Sequence, residues 1–345
     1  METFLGIDYP TLWYLVVGLL FSGYAILEGF DYGAGAWHLF FKKDLSRRIA
    51  INAIGPLWDA NQVWLIIGGG ALFAGFPVMY ATMLSAMYIP FMLFLMLLVL
   101  RSAAIKFRSA EEMKWWRKSW DIIYFTSNIL IAFLLGVVLG NILKGFEIGE
   151  NFSYQGGIFF SFLNPYAIMV GLTTLSIFMT QGAIFLLLKT EGRLHARLTF
   201  LLKKGMIFFI LSFVFTSFYT LIYLPGVTDN FKANPVFFIL PILAFLAVAN
   251  VPRLVSKKKY ALALVFSSLT MAFLLMLVAF QLYPVLLPSS IDPEHSVTIY
   301  NAASSQKSLG IMLTIVVIGA PLLAGYFLFL YKTFHGKVKL DDTSY

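Results

Sequence analysis

Nine long apolar runs constrain this chain more than any other feature of its 345 residues. They lie at roughly 11–37, 55–76, 78–104, 119–143, 165–188, 205–224, 235–250, 260–284 and 308–331. A bilayer core takes about 20 apolar residues per helix. Backbone groups in lipid must bond within their own segment, and runs this long and continuous suit helices rather than barrel strands. The seventh run is short and opens at Asn234-Pro235, so its edges are the least defined. Only 12% of the residues are charged, against about 25% in soluble domains. The expected fold class is an all-α polytopic membrane protein with nine transmembrane helices.

Nine spans put the two termini on opposite sides, and the basic residues say which is which. One set of loops holds Lys42, Lys43, Arg47 and Arg48, then Lys106, Arg108, Lys114, Arg117 and Lys118, then Lys189, Arg193, Arg197, Lys203 and Lys204. Arg253, Lys257, Lys258 and Lys259 follow, and the tail adds Lys332, Lys337 and Lys339. That side has 21 of the 25 basic residues. The other side has Lys144, Lys232 and Lys307, and Arg101 ends the third run. The expected topology is N-terminus outside and C-terminus cytoplasmic. It accounts for the net charge of +8 without a nucleic-acid partner. There is no cysteine, which excludes disulfides, iron–sulfur clusters and thiolate metal sites. The first ten residues carry Glu2 and Asp8 but no Lys or Arg. They are unlike the basic start of a cleaved signal peptide, so the first run is expected to stay as a span.

An internal repeat is suggested at a shift of 153 residues. Gly18-Leu19 falls on Gly171-Leu172, and Glu28-Gly29 falls on Gln181-Gly182. Both segments start after a proline, Pro10 and Pro165, and both run from outside to inside. The expected organisation is a parallel pseudo-repeat of two four-helix units, at 1–150 and 151–290, with a ninth helix and cytoplasmic tail at 291–345.

Ionisable groups inside a membrane are expensive and are functional candidates by default. Glu28 and Asp31 are three residues apart, hence on one helix face. Gly29, Gly33 and Gly35 beside them would let another helix approach closely. The segment is either a packing seam with interfacial carboxylates or a charge network inside the bundle. The stretch from Gly55 to Ile66, GPLWDANQVWLI, reads as a helix start with Pro56 in its first turn. Asp59 and Gln62 then share a face, as do Trp58 and Gln62, and Trp64 lies a turn and a half beyond Trp58. Asp59 could be a proton entrance with its acidity weakened by partial desolvation, or a carboxylate favoured by the helix dipole. Arg101 either snorkels to the headgroups or neutralises Asp31, Asp59 or Asp121.

Other polar features read more plainly. His38, His195, His295 and His335 lie at span ends or in loops and do not pair at helical spacing, so no haem or metal ligand is expected. Gly68-Gly69-Gly70 lies inside a span with no Lys after it and reads as close helix packing. Trp115-Trp116-Arg117-Lys118 reads as an interfacial anchor.

The stretches Gly29-Phe30-Asp31-Tyr32-Gly33 and Gly55 to Leu65 resemble subunit II of the cytochrome bd quinol oxidase family. Length, span count and topology extend the resemblance over nearly the whole chain. It implies a prokaryotic inner-membrane complex that oxidises quinol and reduces dioxygen to water. It implies that haems b and d sit in the larger subunit I, which resembles this chain in fold. Subunit II would then assemble and seal its partner without haem ligands of its own, contribute to proton uptake, and in some members carry a dioxygen route or a structural quinone. Membrane lipid is a further partner, and small accessory subunits are left open. By position, Asp59 looks like the family's proton-uptake carboxylate, Trp58 its packing neighbour, and Trp64 the start of the dioxygen route. Glu28, Asp31, Arg101 and Asp121 look like its polar cluster. Many relatives have Gly-Asn-Glu where this chain has Ala60-Asn61-Gln62. Gln62 cannot titrate, so Asp59 is expected to act alone, oriented by a hydrogen bond from Gln62.

Two other readings compete. A secondary transporter would suit repeated four-helix units and an intramembrane carboxylate, but it would place polar residues near mid-membrane in both halves. A purely structural subunit would leave all redox work to its partner. Gentle purification of the tagged chain from its native membrane separates the first of these. The expected outcome is a second large subunit and a reduced-minus-oxidised spectrum with haem bands, including a red-shifted chlorin-type band. A single polypeptide that stays colourless across several mild detergents favours the transporter.

Overall fold

The computed structural model describes residues 3–157, 159–224 and 229–340. Its helices are α1 (Tyr9–Ala36), α2 (Asp44–Ile54), α3 (Trp58–Gly75), α4 (Pro77–Ala86), α5 (Tyr88–Phe107), α6 (Lys114–Lys144), α7 (Pro165–Lys189) and α8 (Gly192–Tyr223). A short α9 (Asp229–Ala233) leads to α10 (Ile239–Ser256), α11 (Tyr260–Leu282) and α12 (Gln306–Thr333). Two small antiparallel ribbons, β1 (Thr3–Phe4) with β2 (Ile7–Asp8) and β3 (Val285–Leu287) with β4 (Val297–Thr298), lie outside the bundle helices. Among the described residues, eight helices are long and apolar enough to cross a membrane. The pair α3 and α4, which meet at a bend of 116°, makes a ninth only when taken together as one broken span.

That bend is where the apolar runs mislead. The run at 78–104 is not one helix: Pro77 stands just ahead of it and Pro90 lies within it. Pro77 drives Phe76 out of helical geometry (φ −134°, ψ 66°). In a continuous helix the ring of Pro90 would strike the carbonyl of Ala86, and the chain breaks next to that residue, at Met87. The second correction is Pro56. It lies in the turn joining α2 to α3, ahead of the N-cap Leu57, rather than in the first turn of the span. The third is α8, which begins well before the run at 205. Arg193, Arg197, Lys203 and Lys204 extend the helix beyond its apolar part, where hydropathy does not reveal it.

Packing centres on α1 and α7. Every residue from Glu28 to His38 and from Leu175 to Leu187 is buried. The two helices open alike, each with an Asx side chain capping the third residue on. Asp8 accepts from Thr11 N at 2.9 Å and Asn164 from Ala167 N at 3.0 Å. They cross at Gly33 and Gly182, where a Cβ on either would collide with the other helix's backbone. Trp37 Nε1 locks the crossing by donating to Met179 O at 2.8 Å. By contrast, Gly69 and Gly70 have nothing within 4 Å where a Cβ would stand, and Gly68 meets only the Phe21 ring. The expected close packing is absent there, because α3 turns Ile66 and Phe73 to the outside of the chain.

The two ends of the bundle are built differently. At one end, Trp13 Nε1 donates to Leu309 O and Ser304 covers the carbonyls of Ala74 and Gly75 at the end of α3. At the other end lie the basic loops and the charged residues described below. Replacing Gly33 with Ala presses a methyl group against the Phe178 carbonyl, which has no rotamer to escape into. The expected cost is about 1–3 kcal/mol, seen as a lower melting temperature of the detergent-purified protein. Gly69→Ala should leave it unchanged. Equal melting for both would contradict the crossing.

Candidate functional site

The charged candidates gather at the basic end of the bundle, in two groups rather than one. The inner group lies between α1, α3, α5 and α12. Glu28, Asp31 and Arg101 are each 0% exposed. Arg101 lies nearly two turns before the end of α5, with the ring of Tyr32 4.6 Å from the guanidinium. Its Nη1 stands 3.0 Å from Glu28 Oε2, and its Nη2 stands 4.0 Å from Asp31 Oδ2. Neither contact is aligned as a hydrogen bond, and both Glu28 oxygens, Asp31 Oδ1 and all three guanidinium nitrogens have no hydrogen-bond partner among the described residues. Asp31 Oδ2 accepts from Asn61 Nδ2 at 2.9 Å, and Asn61 Oδ1 accepts from the Tyr331 hydroxyl at 3.0 Å. The hydroxyls of Tyr24 and Tyr32 share a 2.5 Å hydrogen bond.

The outer group takes Asp121 away from this set. Asp121 Oδ1 accepts from His38 Nε2 at 2.5 Å and from Arg108 Nε at 2.6 Å, and its Oδ2 accepts from Arg47 Nη1 at 2.8 Å. Arg108 also donates to Asp44 at 2.6 Å, and Arg117 approaches Asp44 at 3.6 Å. Burial works against the Arg108 charge, but Asp121 and Asp44 outweigh it and hold its proton more tightly than usual. The network ties the loops after α1 and α5 to the starts of α2 and α6. Spacing alone could not separate Asp121 from Glu28 and Asp31, because all lie near the same end of their helices.

Asp59 stands in the first turn of α3 and is exposed. Its chain neighbour Trp58 lies against Arg101, and Asn61, two residues on, bonds Asp31. The expected hydrogen bond from Gln62 is not formed. Asp59 faces the open end while Gln62 is half-buried one turn deeper, and no bond joins them. Trp58 is buried, with the Arg101 guanidinium 6.0 Å and the exposed Lys106 ammonium 5.9 Å from its ring. It therefore stands between the buried charges and the chain's outer face. Trp64 fills the gap that Gly23 leaves on α1 and meets Phe327 edge-on at 5.6 Å.

Asn61, Tyr331, Tyr24, Tyr32 and His38 were not among the residues picked from the sequence. Asn61 alone carried a signal, as the one polar neighbour of Asp59 on the inward face. At the position matching Glu28 in the shifted alignment, Gln181 is fully bonded. It donates to Ile26 O at 2.9 Å and accepts from Ser267 Oγ at 2.7 Å. The second half thus has a satisfied amide where the first half has a buried charge. Two of the four histidines are engaged by other groups. His38 Nε2 is engaged by Asp121 and its ring is packed on Tyr124. His195 Nδ1 lies 3.3 Å from Thr190 O, His295 ends a short 3-10 turn with its Nδ1 buried and without a partner among the described residues, and His335 lies just beyond α12. No group of three His, Asp or Glu residues suited to a metal is gathered among the described residues.

The sequence matches the family described as cytochrome bd terminal oxidase subunit II over residues 9–334. It is 32% identical to the cytochrome bd-I ubiquinol oxidase subunit 2 of Escherichia coli K12, covering 97% of each chain. It is 32% identical to the cytochrome bd ubiquinol oxidase subunit 2 of Bacillus subtilis 168, covering 95% of this chain and 96% of that one. A solved structure of bd oxidase from Geobacillus thermodenitrificans superposes with a TM-score of 0.77 at 19% identity, over 94% of this chain and 98% of that chain. That likeness speaks to the fold.

Breaking a buried ion network by removing one partner costs about 3–5 kcal/mol. Asp121→Asn leaves Arg108 and Arg47 facing a neutral amide. The purified protein should melt several degrees lower and be recovered in reduced yield. Unchanged melting would mean the outer network contributes nothing to stability.

Proposed function

The chain belongs to the cytochrome bd terminal oxidase subunit II family, and on that premise we propose that it leads protons from the cytoplasm into the oxidase. It is a multi-pass bacterial membrane protein and a subunit of a quinol oxidase, an oxidoreductase complex in which it partners subunit I. The complex as a whole carries haem, oxidises quinol and reduces dioxygen. In the proposed reading, haems b and d are held by subunit I, and this chain supports that partner without haem ligands of its own. The N-terminus faces outside and the basic end, with the C-terminus, faces the cytoplasm.

Dioxygen reduction takes up one proton for each electron, so a route for protons must reach the partner. The carrying observation is the buried Glu28–Asp31–Arg101 group, contacted by Trp58 and Asn61 on either side of the exposed Asp59 in α3. Two carboxylates face one guanidinium, so the pocket is electrically neutral when it holds one proton. A buried pair of carboxylates that shares one cation and one proton suits a proton-holding site. Asp59 collects the proton from water, and Glu28 and Asp31 receive it past Trp58, while Arg101 keeps the pair from accumulating charge. Gln62 does not titrate and is not needed on this path.

The test uses the complex purified with subunit I. Asp59→Asn and Glu28→Gln should each slow quinol-driven oxygen consumption by on the order of tenfold or more, in the range typical of lost proton-transfer groups. The reduced-minus-oxidised haem spectrum should stay as in the unaltered complex. Unchanged turnover in both variants would leave the chain a structural subunit.

A further inference from the structure

The Asp31 carboxylate receives a single hydrogen bond, and the donor is itself held from elsewhere. Asn61 Nδ2 donates to Asp31 Oδ2 at 2.9 Å and lies 3.5 Å from Leu27 O. Two acceptors therefore face the amide nitrogen. On the other side of the amide, the Tyr331 hydroxyl donates to Oδ1 at 3.0 Å. Asn61 is 0% exposed. Remove the hydroxyl and the amide oxygen loses its donor, so nothing on that side holds the group in register with Asp31.

Tyr331 comes from α12, a helix whose outer face is largely exposed. Its end is fastened by a reciprocal clasp of lysines. Lys189, the last residue of α7, donates from Nζ to Phe334 O at 2.5 Å. Lys337, beyond α12, donates from Nζ to Thr190 O at 2.9 Å and to Leu187 O at 3.3 Å. Val338 N adds a bond to Lys189 O at 3.0 Å. Each lysine meets carbonyls left over where the other helix stops, the usual place for a cation at a helix C-terminus.

We propose that Tyr331 is a positioning residue for the Asp31 carboxylate, acting through the Asn61 amide, and that the lysine clasp holds it in place. The inference rests on the reading of Glu28 and Asp31 as the proton-holding pair. The chain of bonds runs in one sense, from the Tyr331 O–H to the amide oxygen and from the amide N–H to the carboxylate. It couples a proton site deep in the first half of the chain to the chain's C-terminal segment.

The experiment compares complexes with subunit I carrying Tyr331→Phe, Asn61→Leu, both together, Asp31→Asn, and Lys189→Met with Lys337→Met. Tyr331→Phe should lower quinol:dioxygen turnover about three- to tenfold, the kinetic equivalent of one hydrogen bond. It should also displace the pH profile of turnover while leaving haem content and quinol KM as they are. The double variant should be no slower than Asn61→Leu alone. The lysine pair should give a smaller loss of the same kind, absent when Tyr331 is already Phe. If Asn61→Leu does not assemble, the pH profile of Tyr331→Phe decides by itself. An unmoved profile, or additive losses in the double variant, would overturn the role of Tyr331 while a slow Asp31→Asn complex keeps the proton reading standing. Full turnover in Asp31→Asn would overturn the proton reading and this inference with it.

Discussion

A guanidinium buried in a membrane bundle must find negative charge, and the inner half of this structure is arranged around that requirement. Taking an ion out of water costs several kcal/mol even after relaxation. Arg101 meets Glu28 at 3.0 Å, Asp31 at 4.0 Å and the face of Tyr32 at 4.6 Å. Those three partners lie within five residues of one another on α1, so α5 and α1 are joined at one charge group. Asn61 brings α3 into the same contact and Tyr331 brings α12. Four helices are indexed on one charge group.

The group stands where it does because α1 and α7 approach so closely. Gly33 and Gly182 remove the side chains that would hold the helices apart, and Gly33 lies in the middle of the buried stretch from Glu28 to His38. Close packing excludes water, and exclusion of water strengthens every charge interaction inside. The outer network around Asp121 acts on the same end with a different balance. Its carboxylate is fully hydrogen-bonded by His38, Arg47 and Arg108, and it is suited to holding loops. The inner group is held differently, through the 3.0 Å and 4.0 Å approaches of Arg101 and one amide hydrogen bond from Asn61.

Much of the candidate site was legible in advance. Glu28, Asp31 and Arg101 were readable because a charge inside an apolar run is costly and needs a reason. Their pairing was not readable, since Arg101 had equal claims on Asp31, Asp59 and Asp121 when only distance from a helix end was known. The link from Asn61 to Tyr331 was hidden, because Asn61 stood out only as a polar neighbour of Asp59 and a tyrosine near a membrane surface is ordinary. They are 270 residues apart, and only the packing of α12 against α1 and α3 joins them. His38 looked like a residue at a span end, and it is buried because α6 lies over it.

The sequence by itself determined that the chain is a helical membrane protein, how many apolar runs it has, which end of the bundle is basic, and which few residues carry charge inside it. Those properties follow from the cost of placing backbone and charge in lipid, which acts locally on each segment. The tertiary structure decided where a run breaks, which carboxylate meets which guanidinium, and that the C-terminal segment reaches the buried acid pair. Those outcomes depend on which helices touch, and contacts between segments far apart in the chain are set by packing as a whole.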